Sequence, residues 1–270
     1  MQLEPDVFNR VFPVVGMTVY PKGNVELIRE SKITSDIERG TRDKVHVFSN
    51  ASRCRLALVA KETTVEFLTF ITLTYGVQFP HNGWEVKRDL QRWLGHMVRE
   101  FGKFDFLWFY EFQTRGAPHI HLFTTLGPPT RDQRRIMSTI WTDFVQDLVE
   151  RPYSRLKDKK ILTLREASWR FHCRKRQWEA IRNPNGAANY ATKYSLKMRQ
   201  KKPPKWFGDV GRFWGHSARV GVISGTEYKM DETSVRQILS HHADRISDWD
   251  VLPRILYDVF PDQDFDKHQK

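Results

Sequence analysis

The stretch "YEFQTRGAPHIHLF", residues 110–123, decides how this chain folds. Successive residues of a strand point to opposite faces. On 107–113, Trp108, Tyr110 and Phe112 share one face, and Phe109, Glu111 and Gln113 the other. On 118–125, Ile120 and Leu122 share one face, and His119, His121 and Phe123 the other. The "TRG" between them matches a three-residue hairpin loop, a type I turn closed by a glycine in the left-handed region, here Gly116. That register sets Glu111 opposite His119, with Cβ atoms roughly 5 Å apart. Once the aromatic and aliphatic face packs on helices, Glu111, His119 and His121 are left together on the other. A carboxylate and two imidazoles there can meet one divalent ion, with positions open to water or phosphate, which suits a catalytic site. An H-x-H pair alone fits a polar patch on a sheet as well as a metal site; the glutamate at hairpin register tips the balance. A histidine-triad hydrolase would need a third alternating histidine, and position 123 is Phe. Removing either histidine is expected to delete a ligand but no core packing.

Around this hairpin, periodicity predicts a strand–helix–strand–strand–helix order. "FLTFITLTY" (67–75) reads as a strand and "VQFPHNG" (77–83) breaks it with Pro and Gly. Residues 84–101 carry a helical stripe of Trp84, Leu90, Trp93, Leu94, Met97, Val98 and Phe101. Strands follow at 104–112 and 118–126. A helix starting near Thr130 carries Ile136, Ile140, Phe144 and Leu148 four apart. "SWRFHCRKRQWEAI" (168–181) is ambiguous and reads best as a strand. "NPNGAANYATKYSLKM" (183–198) runs helical, and "DETSVRQILSHHADRI" gives a late helix capped at Asp231 or Thr233. The order points to an α+β domain with an antiparallel sheet. The expected organisation is an extension over 1–60 packed on the catalytic domain, a domain over 61–220, and a helical segment over 221–270.

The second constellation is "YATKYSLK", residues 190–197. At about 100° per residue, Tyr190, Lys193, Tyr194 and Lys197 fall on one stripe roughly 100° wide. A protonated phenol, with a pKa near 10, is a poor nucleophile, and a nearby cation favours phenolate. Taken alone, the stripe fits an amphipathic helix with packed tyrosines and snorkelling lysines just as well.

The chain has 270 residues, 40% hydrophobic and 13% aromatic, enough for a sizeable core. Its net charge of +12 favours a polyanionic partner. Two stretches mix cations with aromatic residues: Arg174, Lys175, Arg176 and Trp178 in one, and Lys201, Lys202, Lys205, Trp206 and Arg212 in the other. They are candidates for tracking a nucleic-acid backbone and stacking on bases, although a solvated surface accounts for such runs equally well. Cys54 and Cys173 form neither a zinc pattern nor a disulfide framework, so a reducing cytoplasm is expected. No signal peptide, bilayer-spanning run or phosphate-binding G-x-x-x-x-G-K-[ST] motif is read.

Together the two constellations resemble the HUH endonuclease superfamily, specifically two-tyrosine rolling-circle replication initiators of plasmids and small single-stranded-DNA or filamentous phages. "FLTFITLTY" looks like the first motif of that family, "EFQTRGAPHIHLF" the second and "YATKYSLK" the third, in the order initiators use. The resemblance covers about residues 65–200, and "GRFWGHS" (211–217) also resembles a segment that follows the third motif in related proteins. It implies a ferredoxin-like, RRM-like sheet flanked by helices, with the histidines on a central strand. It implies Mg²⁺ or Mn²⁺ at Glu111, His119 and His121, nucleophiles at Tyr190 and Tyr194, and accompanying lysines at Lys193 and Lys197. The implied partners are single-stranded or hairpin origin DNA and a host helicase and polymerase, in a bacterial or archaeal cytoplasm, with the protein acting as a monomer or transient dimer. A two-tyrosine transposase shares the chemistry, and a non-catalytic RRM-like nucleic-acid-binding protein shares the sheet.

Overall fold

The computed structural model describes residues 14–22, 25–29, 45, 47–76, 78–145, 152–153, 162–182, 203–229, 231, 233–234, 237 and 255–256. The chain divides into two compact units, one of residues 43–48 and 65–220, the other of 1–42, 49–64 and 221–270. The flanks 1–60 and 221–270 thus supply one unit in common.

The larger unit is built on β3 (Thr69–Thr74), α2 (Gly83–Phe101), β4 (Phe106–Phe112), β5 (Pro118–Thr124), α3 (Arg131–Val145), α4 (Leu164–His172) and β8 (Trp178–Ala180). With β9 (Trp214–His216) they make a five-stranded antiparallel sheet in the order β8-β3-β5-β4-β9. Counting β3, β4, β5 and β8 as first to fourth, the spatial order is fourth, first, third, second. This α+β arrangement, a sheet flanked by helices, is consistent with a ferredoxin-like fold. β6 (Pro152–Tyr153) and β7 (Leu162–Thr163) form a separate short ladder.

Local chemistry sets the helix starts. Asn82 Oδ1 accepts from Glu85 N–H at 2.9 Å to open α2. Thr130 and Gln133 open α3 with a reciprocal capping box: Gln133 N–H donates to Thr130 Oγ1 at 3.2 Å, and Thr130 N–H to Gln133 Oε1 at 2.8 Å. Both helices lie on one face of the sheet. Ile71, Leu73, Tyr110, Phe112, Ile120 and Leu122 from the strands pack there with Val86, Leu90, Trp93 and Met97 of α2 and Met137 and Trp141 of α3. Burying an indole demands a partner for its N–H. Trp141 Nε1 donates to Thr74 O at 3.1 Å, and Trp93 Nε1 reaches Met137 O at 3.4 Å.

The helical stripes differ in detail from the sequence reading. Trp84, at the first turn of α2, is 69% exposed, and Val98 and Ile136 also face solvent. In α3 the core face runs through Met137 and Trp141 instead of Ile136 and Ile140, because the indole fills the sheet-side gap and turns the isoleucine row aside. Residues 168–181 are not one strand. They end α4, make a single 3₁₀ turn at Lys175–Gln177, and only then pair as β8.

In the smaller unit, β1 (Val14–Val19), β2 (Val25–Arg29), β10 (Thr226–Lys229) and β11 (Ile255–Leu256) form a sheet in the order β10-β1-β2-β11. α1 (Asn50–Lys61), capped by Ser49, buries Leu56, Ala57 and Leu58. The expected helix start at Asp231 is visible as its carboxylate accepting from Ser234 N–H at 2.9 Å. Among the described residues, no helix is long and apolar enough to cross a membrane.

Candidate functional site

The β4–β5 hairpin has the register the turn chemistry demands. Gln113 N–H donates to Ala117 O at 2.9 Å, Gly116 N–H donates back to Gln113 O at 2.7 Å, and Gly116 has φ +85°. Glu111 therefore pairs with His119, and Phe109 with His121. β3 lies on the other side of β5 and pairs Thr74 with His119 and Thr72 with His121. Side chains opposite one another share a face. The face away from α2 and α3 thus carries three rows: Thr74, His119 and Glu111; Thr72, His121 and Phe109; Phe70, Phe123 and Leu107.

The sequence places the three candidate ligands together, and so does the structure. His121 Nε2 lies 3.6 Å from Glu111 Oε2, and the two imidazole centroids are 4.6 Å apart. Thr72 Oγ1 lies 3.2 Å from His121 Nδ1, a contact that holds the ring so that Nε2 points toward the carboxylate. Burial lowers His121 to about 3. Burial first, then the charges of His121 and Arg115, lower His119 to about 3. Both rings are therefore neutral at physiological pH, the form that ligates metal. His119 Nε2 and Thr74 Oγ1, in one row, are buried with no hydrogen-bond partner. That is an incomplete polar shell of the kind an ion, a water or a phosphate oxygen completes. As the side chains stand, no group of three His, Cys, Asp or Glu among the described residues is gathered tightly enough to hold an ion. The donor set fits a divalent ion in its chemistry, with a small convergence of side chains still required.

The face is less bare than the alternation suggests. Phe70, Phe109 and Phe123 are buried on it, and His121 itself is only 3% exposed. Its ring stacks on Phe70 at 5.3 Å and 14° and lies 5.1 Å from Phe109. The expectation that either histidine can be removed without loss of packing is corrected for His121. It holds better for the less buried His119.

Three contributors escaped the sequence reading. Thr72 and Thr74 carried a usable signal, since period-two alternation on β3 puts them beside the histidines. His172 carried none. At the end of α4 its Nδ1 is 2.8 Å from Ser168 O, and its Nε2 accepts from Thr74 N–H at 3.1 Å. The pair of contacts fixes the neutral tautomer with hydrogen on Nδ1. Burial is the main cause that lowers its pKa, to about 4, with His119 adding to the effect.

Of the remaining candidates, Arg174 and Lys175 are exposed just past α4, and Arg174 sits over the Phe171 ring at 5.9 Å. The Arg176 side chain lies outside the described residues. Trp178 is not a base-stacking surface: it is 2% exposed, packs at 6.3 Å from Trp93 and donates to His172 O at 2.6 Å. Lys205, Trp206 and Arg212 are exposed. Tyr190, Lys193, Tyr194, Lys197, Lys201 and Lys202 fall outside the described residues.

Residues 68–199 match a family model of replication-associated proteins, the ORF2 type. The matched segment holds the hairpin and the tyrosine–lysine stretch, and it supports a role as a replication initiator. No curated protein and no solved structure matches the chain.

Proposed function

We propose that the chain is a rolling-circle replication initiator of the HUH type, which cuts and rejoins single-stranded origin DNA through a phosphotyrosine. The observation that carries this reading is the Thr74–His119–Glu111 row with His121 beside it. It lies on the middle strand of the sheet, inside the segment similar to replication-associated proteins. A non-catalytic sheet that reads single strands would present aromatic rings on this face. Here Phe70, Phe109 and Phe123 are buried, and the row carries ligating groups instead.

Glu111, His119 and His121 would hold Mg²⁺ or Mn²⁺, which supplies positive charge to polarise the scissile phosphate. The other steps belong to the chain's own residues. A phenol of Tyr190 or Tyr194 gives up its proton, favoured by Lys193 and Lys197, and its Oη attacks phosphorus. An Oη–P bond forms as the P–O3′ bond breaks, and the leaving 3′-oxygen takes up a proton. The 5′ end stays on the protein, and the free 3′-OH can prime a host polymerase behind a host helicase. In the reverse sense a 3′-OH attacks the phosphotyrosine, restores the phosphodiester and releases the phenol. One phosphoester is exchanged for another in each direction, so ATP is not consumed.

The test is a denaturing gel of protein incubated with labelled single-stranded origin DNA and Mn²⁺. A covalent adduct is expected. Either single Tyr→Phe variant, at 190 or 194, should retain part of it on a short strand, one more impaired than the other. The double variant should form none, because phenylalanine has no nucleophilic oxygen. Undiminished adduct in the double variant, or mass spectrometry placing the phosphate on another residue, would overturn the assignment.

A further inference from the structure

The hairpin that carries Glu111 and His119 also carries an aromatic surface at its tip. The loop after residue 203 folds back on the turn so closely that a Cβ at Gly116 would stand 2.6 Å from Trp206 Cζ2 and 2.8 Å from Pro204 Cγ. Trp206 is nevertheless 53% exposed. Its ring meets His81 edge-on at 5.0 Å and lies 6.1 Å from Phe79. Arg115, on the turn itself, sits over Phe79 at 5.1 Å. It anchors there by donating to the carbonyl oxygens of Tyr75, at 2.6 Å, and Gly76. The indole is thus pinned along one side by backbone and proline and open on the other.

The surroundings are cationic. Lys205 and Arg212 are exposed on the same loop, and Arg115 flanks the ring system. Glu85 and Asp209 are the acids nearby. Asp209 Oδ1 is engaged by the backbone N–H groups of Val45 and Gly211, which tie the loop down. A half-exposed indole on a rigid seat, with cations at its rim, matches a base plus its phosphate better than an apolar protein segment. His119 is only three residues beyond Gly116, roughly 10 Å along a strand.

We propose that Trp206 is a base-stacking platform. It holds a nucleobase of single-stranded DNA within a few nucleotides of the phosphate brought to Glu111, His119 and His121. The location of that phosphate rests on the function proposed above; the binding site itself does not.

The experiment is fluorescence anisotropy of the full chain with a labelled single strand of about 15 nucleotides and with the matching duplex, in EDTA so that no cleavage intervenes. Trp206→Leu keeps an apolar group on Gly116 but removes the aromatic face. It should weaken single-strand binding by roughly 5- to 100-fold, the range measured for base–aromatic stacking. Trp206→Phe should recover most of that loss. The slope of log K against log salt should stay as in wild type for Trp206→Leu and become shallower for Lys205→Gln, which deletes a phosphate contact instead of a stack. A strand with one abasic position placed along its length should, at one position, bind wild type as weakly as Trp206→Leu and lose nothing further in that variant. Unchanged single-strand affinity in Trp206→Leu, or an equal loss for single strand and duplex, overturns the proposal. Loss of adduct formation with intact stacking would instead count against the nicking reading alone.

Discussion

His119 and His121 face the same way two residues apart, yet they carry different burdens. His121 is packed between Phe70 and Phe109, whereas His119 stands in the outer row with its Nε2 unpartnered. His121→Ala leaves a hole in an aromatic stack, so a cost of about 2–4 kcal/mol is expected from urea denaturation in EDTA. His119→Ala should cost no more than about 1 kcal/mol by the same measurement. Both should lose adduct formation. Equal stability losses would show that the stacking around His121 contributes nothing particular. The ligand set was legible in the sequence because alternation and one turn fix which side chains share a face. The unequal burial was not, because it depends on Phe70, which reaches the site from a strand about fifty residues away in sequence.

The β4–β5 hairpin concentrates several constraints at one residue. Gly116 has φ +85°, a region costly for any residue with a Cβ, and its open side is filled by Trp206 and Pro204. Gly116→Ala should therefore destabilise the unit by about 2–3 kcal/mol, the left-handed penalty plus displacement of the indole. It should also broaden or shift the Glu111 and His119 resonances in a heteronuclear NMR spectrum. A melting point within a degree of wild type would mean that the turn accommodates the methyl. The turn was readable because "TRG" has a known geometry. The 168–181 stretch was not, since its aromatic and basic residues alternate loosely enough to suit a strand. What makes it helical through His172 and extended from Trp178 is long-range: an imidazole accepting from Thr74 on β3, and an indole entering the core beside Trp93. Similarly, the smaller unit's sheet pairs β1 with β10 across two hundred residues, a distance at which no local pattern speaks.

At the scale of the molecule, buried neutral histidines couple folding to pH. His121 is lowered to about 3 and His172 to about 4, against an ordinary value near 6.5. Between those values the unfolded chain takes up protons that the folded chain refuses, so stability falls as pH falls. Each such ring contributes a slope of up to about 1.4 kcal/mol per pH unit. In metal-free protein, the midpoint of urea unfolding should therefore drop steadily from about pH 6.5 to about pH 4 and be nearly flat from 7 to 8. His172→Gln, whose amide oxygen can still accept from Thr74 N–H, should lower overall stability at neutral pH modestly and make the acid slope shallower. An acid slope identical to wild type would mean that His172 titrates normally when folded. Net charge was legible from composition. The number of buried imidazoles was not, because burial of His172 follows from the way α4 docks on β3.

That docking has one more effect. β8 stops opposite Ile71, so β3 runs on beyond the end of its edge neighbour. An unclaimed N–H on such a ledge is an invitation to a strand from another molecule. At Thr74 the invitation is withdrawn by a side chain instead of a strand: the His172 ring occupies the acceptor position a foreign carbonyl would take. The sheet is closed at that corner by a single imidazole, which blunts an edge that would otherwise be open to association between copies of the chain.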